Sequence, residues 1–210
     1  MRRPHVPRAT GESGFTLVEL MIATIVFSVV LLTVTLGILQ ITRVYYKGVT
    51  ETNTQNTARN VMDAISQAIQ FSGGDVAPTA APAPGTTQAF CIGNTRYRYQ
   101  LGNQLVDGTP GTNQTNHALM VDTFAGCNNG TIAGAWNGRE LLGPHMRLSD
   151  LTISNVGTNL YKVTVRIVYG DDDLLVAPPT GPTTNCLGVQ AGTQFCSISE
   201  LSTIVVKRVQ

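Results

Sequence analysis

Charge is what this sequence has least of. Asp, Glu, Lys and Arg together make up 13% of its 210 residues, about half the ~25% usual in soluble domains. The deficit is uneven, because no charged residue occurs between Glu19 and Arg43. That run, residues 20–42, would span roughly 35 Å as a helix at ~1.5 Å per residue, enough for a bilayer core of ~30 Å. It argues against a purely cytosolic protein. The formal net charge is +1 and no block of basic residues is present, which argues against a nucleic-acid binder working by bulk charge. An apolar content of 42% is too high for a chain that is mostly disordered.

Signatures of catalysis are missing as well. The sequence contains no GxSxG, HExxH, GxxxxGK[ST] or GxGxxG string, and we expect no enzyme activity, no cofactor and no metal. His5, His117 and His145 do not approach the cysteines at zinc-ligand spacing. His117 and His145 read as surface or core-edge residues. Asp171, Asp172 and Asp173 cluster carboxylates of the kind calcium takes, but consecutive strand residues face opposite ways and EF-hand spacing is absent. They read as a solvated hairpin turn.

Four cysteines, Cys91, Cys127, Cys186 and Cys196, all lie C-terminal to the apolar run, and none forms a CxxC pair. An even count in a region carried across a membrane reads as two disulfides. Three pairings are open. Nearest-neighbour closure, Cys91 with Cys127 and Cys186 with Cys196, is the expectation, with four buried thiols as the alternative.

The apolar run follows a short leader, MRRPHVPRATGESG, that holds Arg2, Arg3 and Arg8 against Glu12. Under the positive-inside rule the leader stays cytoplasmic and the cysteine-bearing part lies outside. A secretory signal would end in a small-residue cleavage site after its apolar stretch, and none is found there. The processing-like feature comes before the stretch, in Gly14-Phe15-Thr16-Leu17-Val18-Glu19-Leu20. With its basic leader and charge-free continuation, this string resembles the signal of the type IV pilin and pseudopilin family. The resemblance covers residues 1 to about 71. It implies that a membrane-embedded prepilin peptidase removes residues 1–14, cutting after Gly14, and methylates the new amine of Phe15. It also implies a partner for Glu19. A carboxylate inside a membrane segment is costly, ~2.5–3.5 kcal/mol at the centre, and normally finds a counter-charge. In the family that partner is the Phe15 amine of a neighbouring subunit.

No Pro occurs from Phe15 through Val76, so one helix of about 55 residues is expected. Residues 15–43 form its transmembrane and assembly half, and residues 44–71 an amphipathic half. Val61, Ile65, Ala68 and Ile69 line one face of the second half. Gly37, Gly48 and the polar stretch 51–57 are its weak points. A Pro-, Ala- and Gly-rich loop is expected over 72–89, and a β-sheet head with the two disulfides over 90–210. Thr95–Leu101 alternates Tyr97, Tyr99 and Leu101 against Arg96, Arg98 and Gln100. Residues 118–122 form a short strand, Leu148–Ser154 and Leu160–Tyr169 a hairpin, and residues 204–206 a closing strand. About five strands in one antiparallel sheet, packed on the amphipathic helix, give an α+β fold that also resembles the pilin fold.

Three functions follow. The first is a structural subunit of a type IV pilus-like filament, a minor pilin of the larger, PilW-like kind, in a machine of the type that serves adhesion and twitching motility. Its partners are the prepilin peptidase, other pilin subunits in a helical filament, an inner-membrane assembly platform, and the lipid bilayer before assembly. The second is a type II secretion pseudopilin, which shares Gly14, Phe15 and Glu19. The third is a membrane-anchored binding or DNA-uptake module, which a basic cluster on the head would favour; Arg96 and Arg98 are its only sequence support.

Overall fold

The computed structural model describes residues 14–74, 76, 86–104, 117–127, 138–176, 184–188 and 192–208. The architecture is α+β: a helix α1 (Leu17–Phe71) and strands β1 (Thr87–Ile92), β2 (Thr95–Gln100), β3 (Leu119–Thr123), β4 (Arg139–Glu140), β5 (Met146–Gly157), β6 (Leu160–Tyr169) and β7 (Ser197–Val206). The chain divides into two units, residues 1–43 and 44–210.

In the first unit every described residue is exposed, including Phe27, Leu32 and Ile41. The helix is long and apolar enough to cross a membrane. Its hydroxyls are satisfied within the helix. Ser28 Oγ donates to Thr24 O at 2.7 Å, Thr35 Oγ1 to Leu31 O at 2.8 Å, and Thr42 Oγ1 to Ile38 O at 2.8 Å. No hydroxyl in these three positions needs water, as an apolar solvent requires.

In the second unit α1 buries Thr50, Thr54, Ala58, Val61, Met62, Ile65 and Ile69, a face spaced three and four residues apart. It includes Val61, Ile65 and Ile69 of the expected stripe, with Ala68 partly buried beside it. One core joins that face to Phe90 and Ile92 of β1, Tyr97 and Tyr99 of β2, Leu148, Leu151 and Ile153 of β5, and Val163, Val165 and Ile167 of β6.

The strands form two antiparallel sheets, ordered β1-β2-β3-β4 and β5-β6-β7, where a single five-stranded sheet was expected. The break falls after β4, which is two residues long. Gly143 and Pro144 follow, and His145 adopts a left-handed φ of 59°. A proline cannot donate to a ladder, so pairing stops there. An isolated bridge from Gln104 to Arg147 links the two sheets. The β5–β6 hairpin is tighter than expected. Pairing continues to Gly157 opposite Leu160, leaving a two-residue turn, Thr158-Asn159, with Asn159 at φ 59°. Strand β1 starts at Thr87, inside the expected loop, and β7 begins seven residues before the expected closing strand.

Candidate functional site

The residues singled out at the N-terminus sit where the chain enters α1. Gly14, Phe15 and Thr16 precede the helix in non-helical backbone and are exposed. Phe15 is 86% exposed, and an added Cβ at Gly14 would meet nothing within 4 Å.

Thr16 is the helix cap. Its Oγ1 accepts from Glu19 N at 3.3 Å, and Glu19 Oε2 accepts from Thr16 N at 2.9 Å and from Thr16 Oγ1 at 2.8 Å. The pair is a reciprocal capping box that satisfies two backbone donors at the start of the helix. The carboxylate also lies where the positive end of the helix dipole favours it. Glu19 makes no ion pair among the described residues. Sequence reasoning treated Glu19 as an acid awaiting an outside partner and overlooked Thr16. The signal was there, since Thr16-Leu17-Val18-Glu19 is the T-x-x-E pattern that opens helices.

The cysteines form two disulfides, Cys91–Cys127 and Cys186–Cys196. The first ties β1 to the segment after β3. The second closes a loop whose far end leads into β7.

Four arginines of the head, Arg96, Arg98, Arg147 and Arg166, are buried. Arg96 and Arg98 are 2% and 0% exposed, although alternation along β2 suggested an outward polar face. Their strand lies between β1 and β3, and both of its faces are covered. Arg96 engages Asp122 with two hydrogen bonds, Nε to Oδ1 at 2.9 Å and Nη2 to Oδ2 at 2.5 Å. Arg98 Nη2 reaches the same Oδ2 at 2.9 Å, and the Arg96 guanidinium lies 4.1 Å from the centre of the Phe124 ring. The Arg96 hydrogen bond, reinforced by the charge of Arg98, holds the Asp122 carboxyl below its ordinary range. A guanidinium pair committed in this way offers nothing to a nucleic acid. Arg166 is buried against Glu200 and donates to Thr184 O at 2.6 Å.

The Asp171-Asp172-Asp173 cluster is not a hairpin turn. Residues 172–174 form a short 3-10 helix. Asp172 pairs with the buried Arg147, and Asp171 Oδ1 accepts from Gln104 Nε2 at 2.8 Å, which draws its carboxyl below the usual value. Among the described residues no group of three or more His, Cys, Asp or Glu side chains could hold a metal ion. His117 is buried, with Nδ1 3.4 Å from Glu140 Oε2. Glu140 Oε1 accepts from Leu119 N at 2.7 Å, while burial pushes its carboxyl upward. His145 lies at the surface, 3.6 Å from Asp171.

Residues 10–35 match the family model of the prokaryotic N-terminal methylation motif, a stretch that takes in Gly14, Phe15, Thr16 and Glu19. The match supports a precursor of the type IV pilin or pseudopilin type, a class whose work is structural. No curated protein and no solved structure matches the chain.

Proposed function

We propose that this chain is a minor subunit of a type IV pilus-like filament. A prepilin peptidase removes residues 1–14, cutting after Gly14, and methylates the amine of Phe15. The helix holds the subunit in the membrane until an assembly platform inserts it into the filament. The observation that carries this reading is the methylation motif over residues 10–35 at the head of a 55-residue helix whose first half is exposed and apolar. The motif supplies the processing signal, and the helix supplies a surface that exchanges lipid for neighbouring helices.

The roles of individual residues follow from chemistry. Gly14 leaves the scissile backbone unhindered, and Phe15 provides the amine. Both intrachain hydrogen bonds to the Glu19 carboxylate land on Oε2. The acid thus keeps a fixed direction at the end of the helix and retains lone pairs for the charged Phe15 amine of a neighbouring subunit. Two disulfides suit a head displayed in an oxidising compartment outside the cytoplasmic membrane, with the basic leader inside. A large head and the Pro-rich sequence between α1 and β1 favour a minor subunit over a compact shaft subunit. A secretion pseudopilin would share every feature at the helix entrance. The DNA-uptake alternative loses its sequence support, because Arg96 and Arg98 are buried and paired.

The test is an intact mass and N-terminal peptide map of the protein taken from native membranes and sheared filaments. A chain that begins at Phe15 with one added methyl group, and is present in the filaments, is the expected result. A chain that still carries residues 1–14 in cells with active prepilin peptidase would reduce it to a membrane-anchored exodomain.

A further inference from the structure

Residues 46–57 of α1 have a poor composition for a helix. They include Gly48 and, within the polar run 51–57, the residues Thr52, Asn53, Thr54, Asn56 and Thr57, residue types with low helix propensity. The only residues this stretch buries are Thr50 and Thr54, so it does not share the apolar packing that secures residues 58–69. Its contacts with the head, polar but for one aromatic pair, gather on one short segment. Lys47 Nζ donates to Cys196 O at 2.7 Å, and Thr50 Oγ1 lies 3.2 Å from Gln194 O, its one proton shared with Lys47 O at 3.0 Å and Tyr46 O at 3.1 Å within the helix. The Tyr46 and Phe195 rings sit 5.6 Å apart. One residue further along, the hydroxyls of Thr54 and Ser197 meet, and Ser197 Oγ donates to Thr50 O at 3.1 Å.

The segment that receives these contacts, Thr193–Cys196, belongs to no sheet. It is a 3-10 turn entered through Gly192 at φ 98°. Cys196 is fully buried in a small cluster with Val168 and Leu175, and Leu174, Cys186 and Ile198 pack around it. That cluster is separate from the main core. Across the disulfide, Cys186 is anchored in turn. Residue 175 bridges to it, Val176 N donates to Asn185 O at 2.8 Å, and Leu187 N to Leu174 O at 2.9 Å. The covalent bond therefore links the turn that grips the helix to a well-held part of the head. Ser197 is secured independently, because it opens β7 opposite Tyr169.

We propose that the Cys186–Cys196 disulfide is a redox-controlled clasp on helix residues 46–53. When the bond is closed, the turn 193–196 holds Tyr46, Lys47 and Thr50, and the glycine-containing polar stretch stays helical. When it is reduced, the turn lets go and the helix unwinds locally around Gly48, while Thr54 against Ser197 marks the limit of the opening. The reductant is a dithiol. Its thiolate attacks Sγ of Cys186, the half-buried partner, forming a mixed disulfide and expelling Cys196 as thiolate. The second thiol of the reductant then displaces Cys186 and leaves as the cyclic disulfide. Two electrons pass to the protein, and both cysteines end as thiols. The device depends only on residues of the second unit and stands whichever filament the protein serves.

Backbone amide exchange of the full chain in detergent micelles tests the clasp. Three proteins are compared with the oxidised wild type. They are Cys186→Ser/Cys196→Ser, Cys91→Ser/Cys127→Ser, and Lys47→Met/Thr50→Val with both disulfides intact. The expected result is exchange about tenfold faster at residues 46–53 in the first and third. Strand residues 163–167 should stay within about twofold of wild type, and the second variant should leave residues 46–53 unchanged. Treating the wild type with dithiothreitol and alkylating the thiols should reproduce the acceleration, and reoxidation of an unalkylated sample should reverse it. Unchanged exchange at 46–53 in Lys47→Met/Thr50→Val would overturn the clasp, as would acceleration of residues 163–167 in step with residues 46–53.

Discussion

Asp122 and Arg98 meet inside the head, Arg98 Nη2 standing 2.9 Å from Asp122 Oδ2 with the arginine fully buried. The same carboxylate also answers Arg96. One acid thus serves as counter-ion to two buried guanidinium groups, a trio that keeps a formal charge of +1. Asp122→Ala removes the carboxylate that both arginines share. We expect a loss of about 3 kcal/mol of unfolding free energy at neutral pH, measured by urea denaturation of the oxidised chain in micelles; a loss under about 1 kcal/mol would show that solvent, not Asp122, carries the charges.

The same acid sets a pH dependence. Arg96 lowers the folded-state value of Asp122, so its stabilising contribution is complete above the unfolded value of ~3.9 and disappears as pH falls through the lower folded value. The advantage of wild type over Asp122→Asn should be constant from pH 7 to about 5 and shrink below about 4. A pH-independent gap across that range would contradict the ion pair.

Glu140 behaves in the opposite sense. Burial raises its carboxyl, so its contribution is full below the unfolded value of ~4.3 and lost as pH rises through the raised folded value. The stability of Glu140→Gln relative to wild type should therefore improve between pH 4 and pH 7. Parallel titration curves for the two proteins would refute it.

At the helix entrance, Thr16→Ala removes the cap while leaving the Glu19 carboxylate in place. It should destabilise the first turn by ~1 kcal/mol, seen as faster amide exchange at residues 17–20, with assembly retained. Glu19→Ala should loosen the same turn and also abolish incorporation into filaments, scored by immunoblot of the sheared fraction. Normal incorporation of Glu19→Ala would remove Glu19 from its proposed role.

The two disulfides should differ in their effect on stability. Cys91 and Cys127 are 36 residues apart and Cys186 and Cys196 only 10. Loop-closure entropy then gives about 4 kcal/mol for the first and about 3 kcal/mol for the second. Paired serine variants compared by urea unfolding test that order, and a larger loss from Cys186→Ser/Cys196→Ser would reverse it.

Much of the architecture was legible because it depends on local pattern. An unbroken proline-free stretch and an apolar stripe at helical spacing set α1, and the helix ends at Phe71, just before Ser72-Gly73-Gly74. Along β6, Tyr161, Val163, Val165, Ile167 and Tyr169 alternate onto one face, and the first four are buried with Tyr169 partly buried at the end. The same alternation misled at β2. A period of two distinguishes the faces of a strand but does not say that the second face is exposed, and β2 is covered on both. The capping box was legible too, and was obscured only by reading Glu19 for charge alone.

What the sequence determined by itself is the long helix, its charge-free half, and the processing-type string Gly14-Phe15-Thr16-Leu17-Val18-Glu19. Each is a matter of neighbours within a turn or two of chain, where propensity and composition act directly. Tertiary structure decided the rest. It set the division into two sheets, chose one cysteine pairing among three, buried Arg96 and Arg98 on Asp122, and held Lys47 against Cys196 across 149 residues of sequence. Those pairings arise when distant segments are packed into one core and buried polar groups must find partners there. Local pattern carries no record of which partner that will be.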